Sequence, residues 1–322
     1  MGKLRVASLF CGCGGTDVGL LGGFSFLNRE YSKNPMEIVY ANDIEPQACD
    51  LFEENFGIRP DRRDIREVAA TDIPDFDVLT GGFPCQSFSI VAQNPKRLGV
   101  KDEKGMLFFE MCRILREKKP KAFIAENVKG ILSANNKSAF PLIIQEFEQS
   151  GYRVTYRLLN AVDFGVPQKR ERVIIVGIRN DLNAVFDFDA LLQGFTPKAA
   201  VLADIIEKSV DEKYFFSEKA VEGMQRSKER MNKGRAQDIN QPCNTVGAHL
   251  AKVSLNSTDP VLLDGGRYRR FTPREVARIQ SFPETYRLVG CESGQYRALG
   301  NAIAPVMFWY IAKQLSKILT NL

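Results

Sequence analysis

Residues 4–17 read LRVASLFCGCGGTD. The opening run is almost wholly apolar, as suits a strand buried on both faces. It breaks into a turn where Gly12, Gly14 and Gly15 let the backbone bend tightly and approach a ligand. An amphipathic stretch then continues to about Leu27. Strand, glycine-rich turn and helix make the first unit of an α/β sheet. The alternation goes on downstream. Residues 37–42 (EIVYAN), 76–80 (FDVLT) and 122–126 (AFIAE) read as strands, with helical patterns at 45–55 and 138–149. The segment GMLFFEMCRILREKKP (105–120) is apolar at 107, 108, 111, 114 and 115, basic in its last turn and stopped at Pro120, the signature of a helix end. Strands at 153–159 and 172–178 follow. The expected architecture is a doubly wound α/β sheet.

The first turn also discriminates among ligands. The dinucleotide fingerprint asks for a third glycine at position 17, where Asp17 stands. A carboxylate at that helix entrance repels a pyrophosphate and suits a ligand with an amino group, such as S-adenosylmethionine. Asp43 closes the second strand, where an acid binds ribose hydroxyls or caps the next helix. Asp64, in RRDIR, can cap a turn or accept from an adenine amino group. A nicotinamide-dependent oxidoreductase is the other reading of such a turn, but no hydride-transfer site is recognisable.

Composition narrows the chemistry further. The 322 residues carry 44 Lys and Arg against 39 Asp and Glu, a formal charge of +5, with seven cysteines and one histidine. With His249 alone, a Cys2His2 zinc site, an HExxH site and any two-histidine mechanism are excluded. No metal is expected. Cys11 and Cys13 flank the first turn but have no further ligands nearby. An odd number of cysteines without a CxxC pair points to a reducing cytoplasm. The N-terminus reads as a strand and not as a signal peptide. No apolar run approaches the roughly 18 residues of a membrane span.

The pattern changes after about residue 184, becoming more polar and less periodic. Within 223–270 there are nine Lys and Arg against four Asp and Glu, so this stretch alone is net +5. That suits a polyanionic partner or a solvated face. Order returns at Thr272-Pro273-Arg274-Glu275, a capping box with proline at the first helical position. An apolar helix at about 303–319 ends the chain.

Three segments carry the reactive side chains. TGGFPCQSFS (80–89) places Cys85 after a strand and a restrained bend, at the carboxyl edge where open α/β sheets bind ligands. AENVKGI (125–131) puts Glu126 at the end of an apolar strand, where partial desolvation raises a carboxyl pKa and favours proton donation. DFGVPQKRERVIIVGI (163–178) carries Gln168, Arg170 and Arg172, with both arginines on one face. Arginine forks suit phosphate and base-edge acceptors.

Taken in this order, FxGxGG, PCQ, ENV, QxRxR and a late GNA resemble the cytosine-C5 DNA methyltransferase family of bacterial restriction-modification systems. The resemblance spans nearly the whole chain except about 185–270, where that family varies. It implies a Rossmann-like, S-adenosylmethionine-dependent methyltransferase sheet with a smaller, irregular target-recognition domain. It also implies a division into 1–184 (catalytic and cofactor-binding), 185–282 (target recognition and its supporting helix, TPREVARIQSFP) and 283–322 (a return to the catalytic domain). Phe10, Gly12, Gly14, Gly15, Asp43, Ile44, Asp64, Ile65, Pro84, Leu107 and Asn301 take cofactor positions in the resemblance. Ile44 stands where the family often has a larger stacking residue. Cys85, Glu126, Arg170 and Arg172 take catalytic positions. Gln86, Ser87, Arg97, Gln168 and Thr245 are expected at the DNA.

The implied reaction suits these residues. Cytosine C5 is too electron-poor to accept a methyl group unaided, and a thiolate added at C6 makes it carbanion-like. Glu126 would contact N3 and the 4-amino group, Arg172 the O2 edge, and Arg170 the cysteine region or a phosphate. The target base must leave the duplex stack; methyltransferases are among the standard examples of that rule. The polar segment 86–104 is expected to close over DNA, with Lys96, Arg97 and Lys101 at phosphates. The resemblance implies duplex DNA and a cognate restriction endonuclease as partners, S-adenosylhomocysteine as product, a monomer, and a cytoplasmic, nucleoid-associated location. Two alternatives share the scaffold: a non-catalytic DNA-binding protein and an RNA cytosine-C5 methyltransferase. The Cys-Phe-Thr element of the tRNA-acting branch is absent.

Overall fold

The computed structural model describes residues 2–83, 106–135, 137–192, 200–226, 236–252 and 259–322. Strand β1 (Leu4–Leu9) leads through the glycine-rich turn into helix α1 (Gly15–Leu21). The helix is shorter than the sequence pattern suggests. It stops at Gly22, whose φ of 61° and the adjoining Gly23 turn the chain into a hairpin of β2 (Phe24–Phe26) and β3 (Arg29–Tyr31). Then come β4 (Met36–Asn42), α2 (Pro46–Phe56), β5 (Val78–Gly82), α3 (Met106–Lys118), β6 (Ala122–Val128), α4 (Ala139–Gln149), β7 (Tyr152–Asn160) and β8 (Glu171–Arg179).

The central sheet has the order β4-β1-β5-β6-β8-β7. Neighbours are parallel from β4 to β6, while β8 runs antiparallel to both β6 and β7. The sheet is therefore mixed, with one reversed strand that a purely periodic reading does not reveal. Side chains alternate strictly between two buried faces. Val6, Val78, Ile124, Ile174 and Val176 join one core with α1 and the C-terminal helix. Ala7, Leu79, Phe123, Ala125, Val173 and Ile175 join the other, against α3 and α4. Each fully buried aliphatic or aromatic side chain contributes about 1.5–3 kcal/mol. This double burial explains why the strands read as continuous apolar runs.

Beyond β8 the structure is irregular: α5 (Phe188–Leu192), α6 (Glu218–Arg226), short 3-10 turns and a hairpin of β9 (Leu262–Asp264) and β10 (Arg267–Arg269). Helix α7 (Pro273–Ile279) realises the expected capping box. The Thr272 hydroxyl accepts from Glu275 N (3.1 Å), and Thr272 N donates to the Glu275 carboxylate (2.8 Å). A helix the periodicity did not signal, α8 (Glu292–Asn301), carries two glycines and precedes the terminal α9 (Pro305–Thr320). A third core joins Leu202, Cys243, Val246 and Leu262 to α7, α8 and the Ala48–Leu51 side of α2. It fixes the irregular segment against the first turn, at Cys13, and against α2. Among the described residues no helix is long and apolar enough to cross a membrane.

Candidate active site

A cavity of about 730 Å³ opens at the carboxyl ends of β1, β4, β5 and β6. One half is built by the first turn. Phe10 sits at φ 53° and Gly12 at φ 54°, so the backbone folds back on itself above β1. Gly14, at φ 80°, does not line the cavity. A Cβ there would lie 2.2 Å from the Phe56 ring, so its role is the tight seating of the turn on α2. Asp43, at the end of β4, holds the turn in place. Its carboxylate accepts from Gly12 N (2.8 Å) and from Glu45 N (2.9 Å). Burial raises its pKa, against those two hydrogen bonds. Asp43 therefore ties the helix entrance to the turn and also lines the cavity.

Ile44, Asp64, Ile65, Leu107 and Asn301 line the same half, with Gly12, Gly15 and Phe10. Asp64 also caps a turn, accepting from Arg66 N and pairing with its guanidinium, which holds its pKa below the usual carboxylate value. Asp17 departs from expectation. It does not reach the cavity but is fully buried on α1, where burial pushes it up to about 7. The carboxylates that line this half of the cavity are those of Asp43, Glu45 and Asp64.

The other half gathers the carboxylate and arginines that the sequence reading expects to be catalytic. Register pairs Gly82 with Glu126 across β5–β6, and Val128 with Arg172 across β6–β8. Glu126 and Arg172 are thus diagonal neighbours, close enough for a direct pair. Arg172 Nε lies 2.7 Å from Glu126 Oε1, with the side chains only 12% and 14% exposed. Gly82 leaves room beside them, since a Cβ there would stand 3.3 Å from Glu126 Oε2. Burial pushes the Glu126 carboxyl up, and Arg172 and Arg170 hold it back in part. Arg170 is fully buried, donating to the carbonyls of Val246 (3.1 Å) and Gly300 (3.0 Å). Burial lowers its pKa to about 9, so it stays a cation at neutral pH. Its Nε has no partner among the described residues, and the side chain lines the cavity.

Pro84, Cys85, Gln86, Ser87 and Arg97, with Lys96 and Lys101, lie outside the described residues. The described chain reaches Phe83 at the cavity wall. Its carbonyl accepts from the buried Asn127 side chain (2.9 Å). Asn127 therefore anchors the residue two positions before Cys85.

Two expected DNA contacts are placed differently from each other. Thr245 is exposed, with its hydroxyl on the Lys169 carbonyl (2.6 Å). Gln168 is fully buried, its amide engaged by Val246 N and Gln280, and so departs from the expectation of a DNA-facing side chain. His249 is exposed.

The profile of the family described as C-5 cytosine-specific DNA methylase matches residues 4–317. The chain belongs to that family. Among its relatives, the type II methyltransferase M1.ScrFI of Lactococcus lactis subsp. cremoris is 34% identical, over 98% of this chain and 79% of its own. M.FnuDI of Fusobacterium nucleatum is 33% identical, over 99% and 96%. In structure, the S. pombe Dnmt2 methyltransferase superposes with a TM-score of 0.79 at 22% identity, covering 99% of both chains, a likeness of fold.

For a cytosine-C5 DNA methylase the cavity's donor set is telling. A volume of this size suits a nucleoside-bearing ligand. Apolar Ile44, Ile65 and Leu107 offer a base a flat contact, and the wall near the turn carries carboxylates where a phosphate ligand would need cations. A methyl donor without phosphates, S-adenosylmethionine, fits these residues. Sequence reasoning did not assign roles to Asn127, Gln280 or Arg297. Arg297, on α8 four residues before Asn301, lines the rim beside Glu45 (3.3 Å). The ENV motif held the only advance signal for Asn127, and TPREVARIQSFP contained Gln280 without assigning it a role; nothing local marked Arg297.

Proposed function

We propose that this DNA methylase methylates C5 of a flipped-out cytosine within a specific duplex sequence, through a covalent bond between Cys85 and C6. S-adenosylmethionine, when bound, supplies an electrophilic methyl group. The observation carrying this reading is the convergence of Glu126, Arg172 and Arg170 with the Asp43-braced turn and Asn301 in one cavity. The anchored Phe83 carbonyl fixes the chain at the cavity wall two residues before Cys85 in sequence.

Cys85 as thiolate adds its electron pair to C6, and the C5–C6 π electrons become available at C5. Glu126 meets N3 and the 4-amino group. Its raised pKa lets it share a proton with N3 as negative charge grows in the ring. Arg172 donates to O2 and holds Glu126 in place. Arg170 keeps the wall of the cavity together and offers its free Nε–H to an oxygen near the reacting ring. C5 would accept the methyl carbon as the donor's S–CH3 bond breaks, its electrons remaining on sulfur and S-adenosylhomocysteine left behind. A base then takes the C5 proton, the C5–C6 double bond reforms, and the C6–S bond breaks with its electrons returning to sulfur. Asp43 and Asp64 bind the nucleoside part of the donor, Ile44 and Leu107 flank its base, and Asn301 contacts its amino-acid part.

Residues 185–282 act as the target-recognition unit and 283–322 as the return to the catalytic unit. Thr245, Arg97, Gln86 and Ser87 meet DNA, while phosphate contacts position and base-edge contacts specify. The enzyme works as a monomer at cytoplasmic DNA, paired with an endonuclease of the same specificity.

Sequencing of bisulfite-converted DNA from cells expressing the protein tests this reading. A single recurring sequence context of protected cytosines is expected. Absence of protection, or labelled methyl transfer to tRNA in preference to duplex DNA, overturns it.

A further inference from the structure

A line of buried amides connects the recognition segment to the cofactor wall. Val246 N donates to Gln168 Oε1 (3.0 Å), and Gln168 Nε2 donates to Gln280 Oε1 (2.9 Å). Gln280 Nε2 then donates to the carbonyls of Leu299 (2.7 Å) and Ala302 (3.3 Å). Both glutamines are fully buried, and neither lines the cavity. Donor and acceptor follow in the same direction at each step. Each amide's orientation is therefore fixed by the next, and turning one over would set like groups against each other.

The far end of the line has a defined target. Leu299 and Ala302 flank Asn301 at the C-terminal end of α8, where carbonyls lack helical partners. Arg170 makes a second link between the same two segments through Val246 O and Gly300 O. Gly300 has no side chain to intervene: a Cβ there would lie 2.2 Å from Gly247 O. The recognition segment and the Asn301 turn thus meet backbone to backbone, with Gln168 and Gln280 setting their relative position.

We propose that Gln168 and Gln280 are positioning residues, a relay through which seating of the recognition segment sets Asn301, so that binding of the methyl donor and of the target DNA are energetically coupled. This rests on the cavity being the S-adenosylmethionine site. The relay transmits a placement, since its groups stay neutral and exchange no protons.

Calorimetric titration of S-adenosylhomocysteine into the full chain tests it. Gln168→Glu keeps the size of the side chain and an acceptor for Val246 N, but as a carboxylate it cannot donate to Gln280. Its Kd, taken relative to wild type, is expected to be about tenfold weaker at pH 8, the scale of one buried hydrogen bond. It should recover as falling pH returns a proton that the carboxyl can donate. Gln168→Met should be weaker at every pH, and combining it with Gln280→Met should add little, because both break one line. In the wild-type chain, saturating S-adenosylhomocysteine should slow hydrogen exchange at the Val246 amide, a readout that needs no variant. Unchanged affinity in the Gln168 variants, or unchanged exchange at Val246, overturns the relay. A wild-type chain that binds no S-adenosylhomocysteine overturns the cofactor reading instead, and the two failures are distinct.

Discussion

Arg172→Met removes the counter-charge of Glu126 while keeping much of the side chain's volume. The pair is short, 2.7 Å, and its side chains are 12% and 14% exposed, so water screens it little. A charge-assisted hydrogen bond of this kind contributes about 1.5–3 kcal/mol. Its loss should raise the Glu126 pKa further, with Arg170 remaining as a second counter-charge. Glu126 is already raised in the folded protein. A raised folded pKa means stability that is fully present below the unfolded value, near 4.5, and lost as pH rises through the folded value. The variant moves that loss upward and deepens it. Well below the unfolded value Glu126 is neutral in both proteins, and the two should differ little through this pair. Above the variant's folded pKa the difference should level off at about 2 kcal/mol. Urea unfolding between pH 3.5 and 8.5 measures it. A stability difference that is constant with pH, or that shrinks as pH rises, refutes the assignment of Glu126 as a buried acid held by Arg172. The same variant should lose about a hundredfold in DNA methylation, the scale for removing one preorganised donor, while S-adenosylhomocysteine affinity stays as in wild type.

Cys85→Ala should abolish methyl transfer to duplex DNA and leave S-adenosylhomocysteine binding intact; retained turnover removes the thiolate mechanism. Asp43→Asn keeps one acceptor but sets an NH2 against Gly12 N or Glu45 N, so calorimetry should find cofactor affinity lowered about tenfold. Gly14→Ala forces a side chain into a left-handed position and against the Phe56 ring, and should lower stability by about 2 kcal/mol or more, seen as a drop in urea midpoint. Asp17, raised to about 7 by burial, contributes stability that is complete below about pH 4 and lost as pH rises through 7. Asp17→Asn should flatten the dependence of Tm on pH between 5 and 8, and an unchanged slope contradicts the buried acid.

What the sequence disclosed, it disclosed through periodicity and through groups whose chemistry is unusual for their setting. Strands buried on both faces announce themselves as apolar runs, and Glu126 at the end of one of them stands out. Gly12, Gly14 and Gly15 after the first such strand mark a turn whatever it binds. The reversal of β8 left no such trace, because an antiparallel strand between two neighbours presents the same alternation as a parallel one. Helix α8 was silent for a related reason. Gly294 and Gly300 lower its helical propensity, yet Gly300 is required where the backbone of 247 passes within contact distance.

Asp17 and Gln168 show the limit most sharply. Both sit inside motifs, and motif membership says only that a residue belongs near the site. Whether a polar side chain faces the ligand or braces the segment behind it depends on partners far away in sequence. Gln168 is oriented by Val246 and by Gln280, 112 residues on. Asp43 braces the turn with its two oxygens while it also lines the cavity. A buried polar residue in a binding motif is therefore best read first as part of the frame that fixes the ligand's contacts. In this chain that frame ties Val246, the Gln168–Arg170 stretch and the Asn301 turn into one unit beside the cavity.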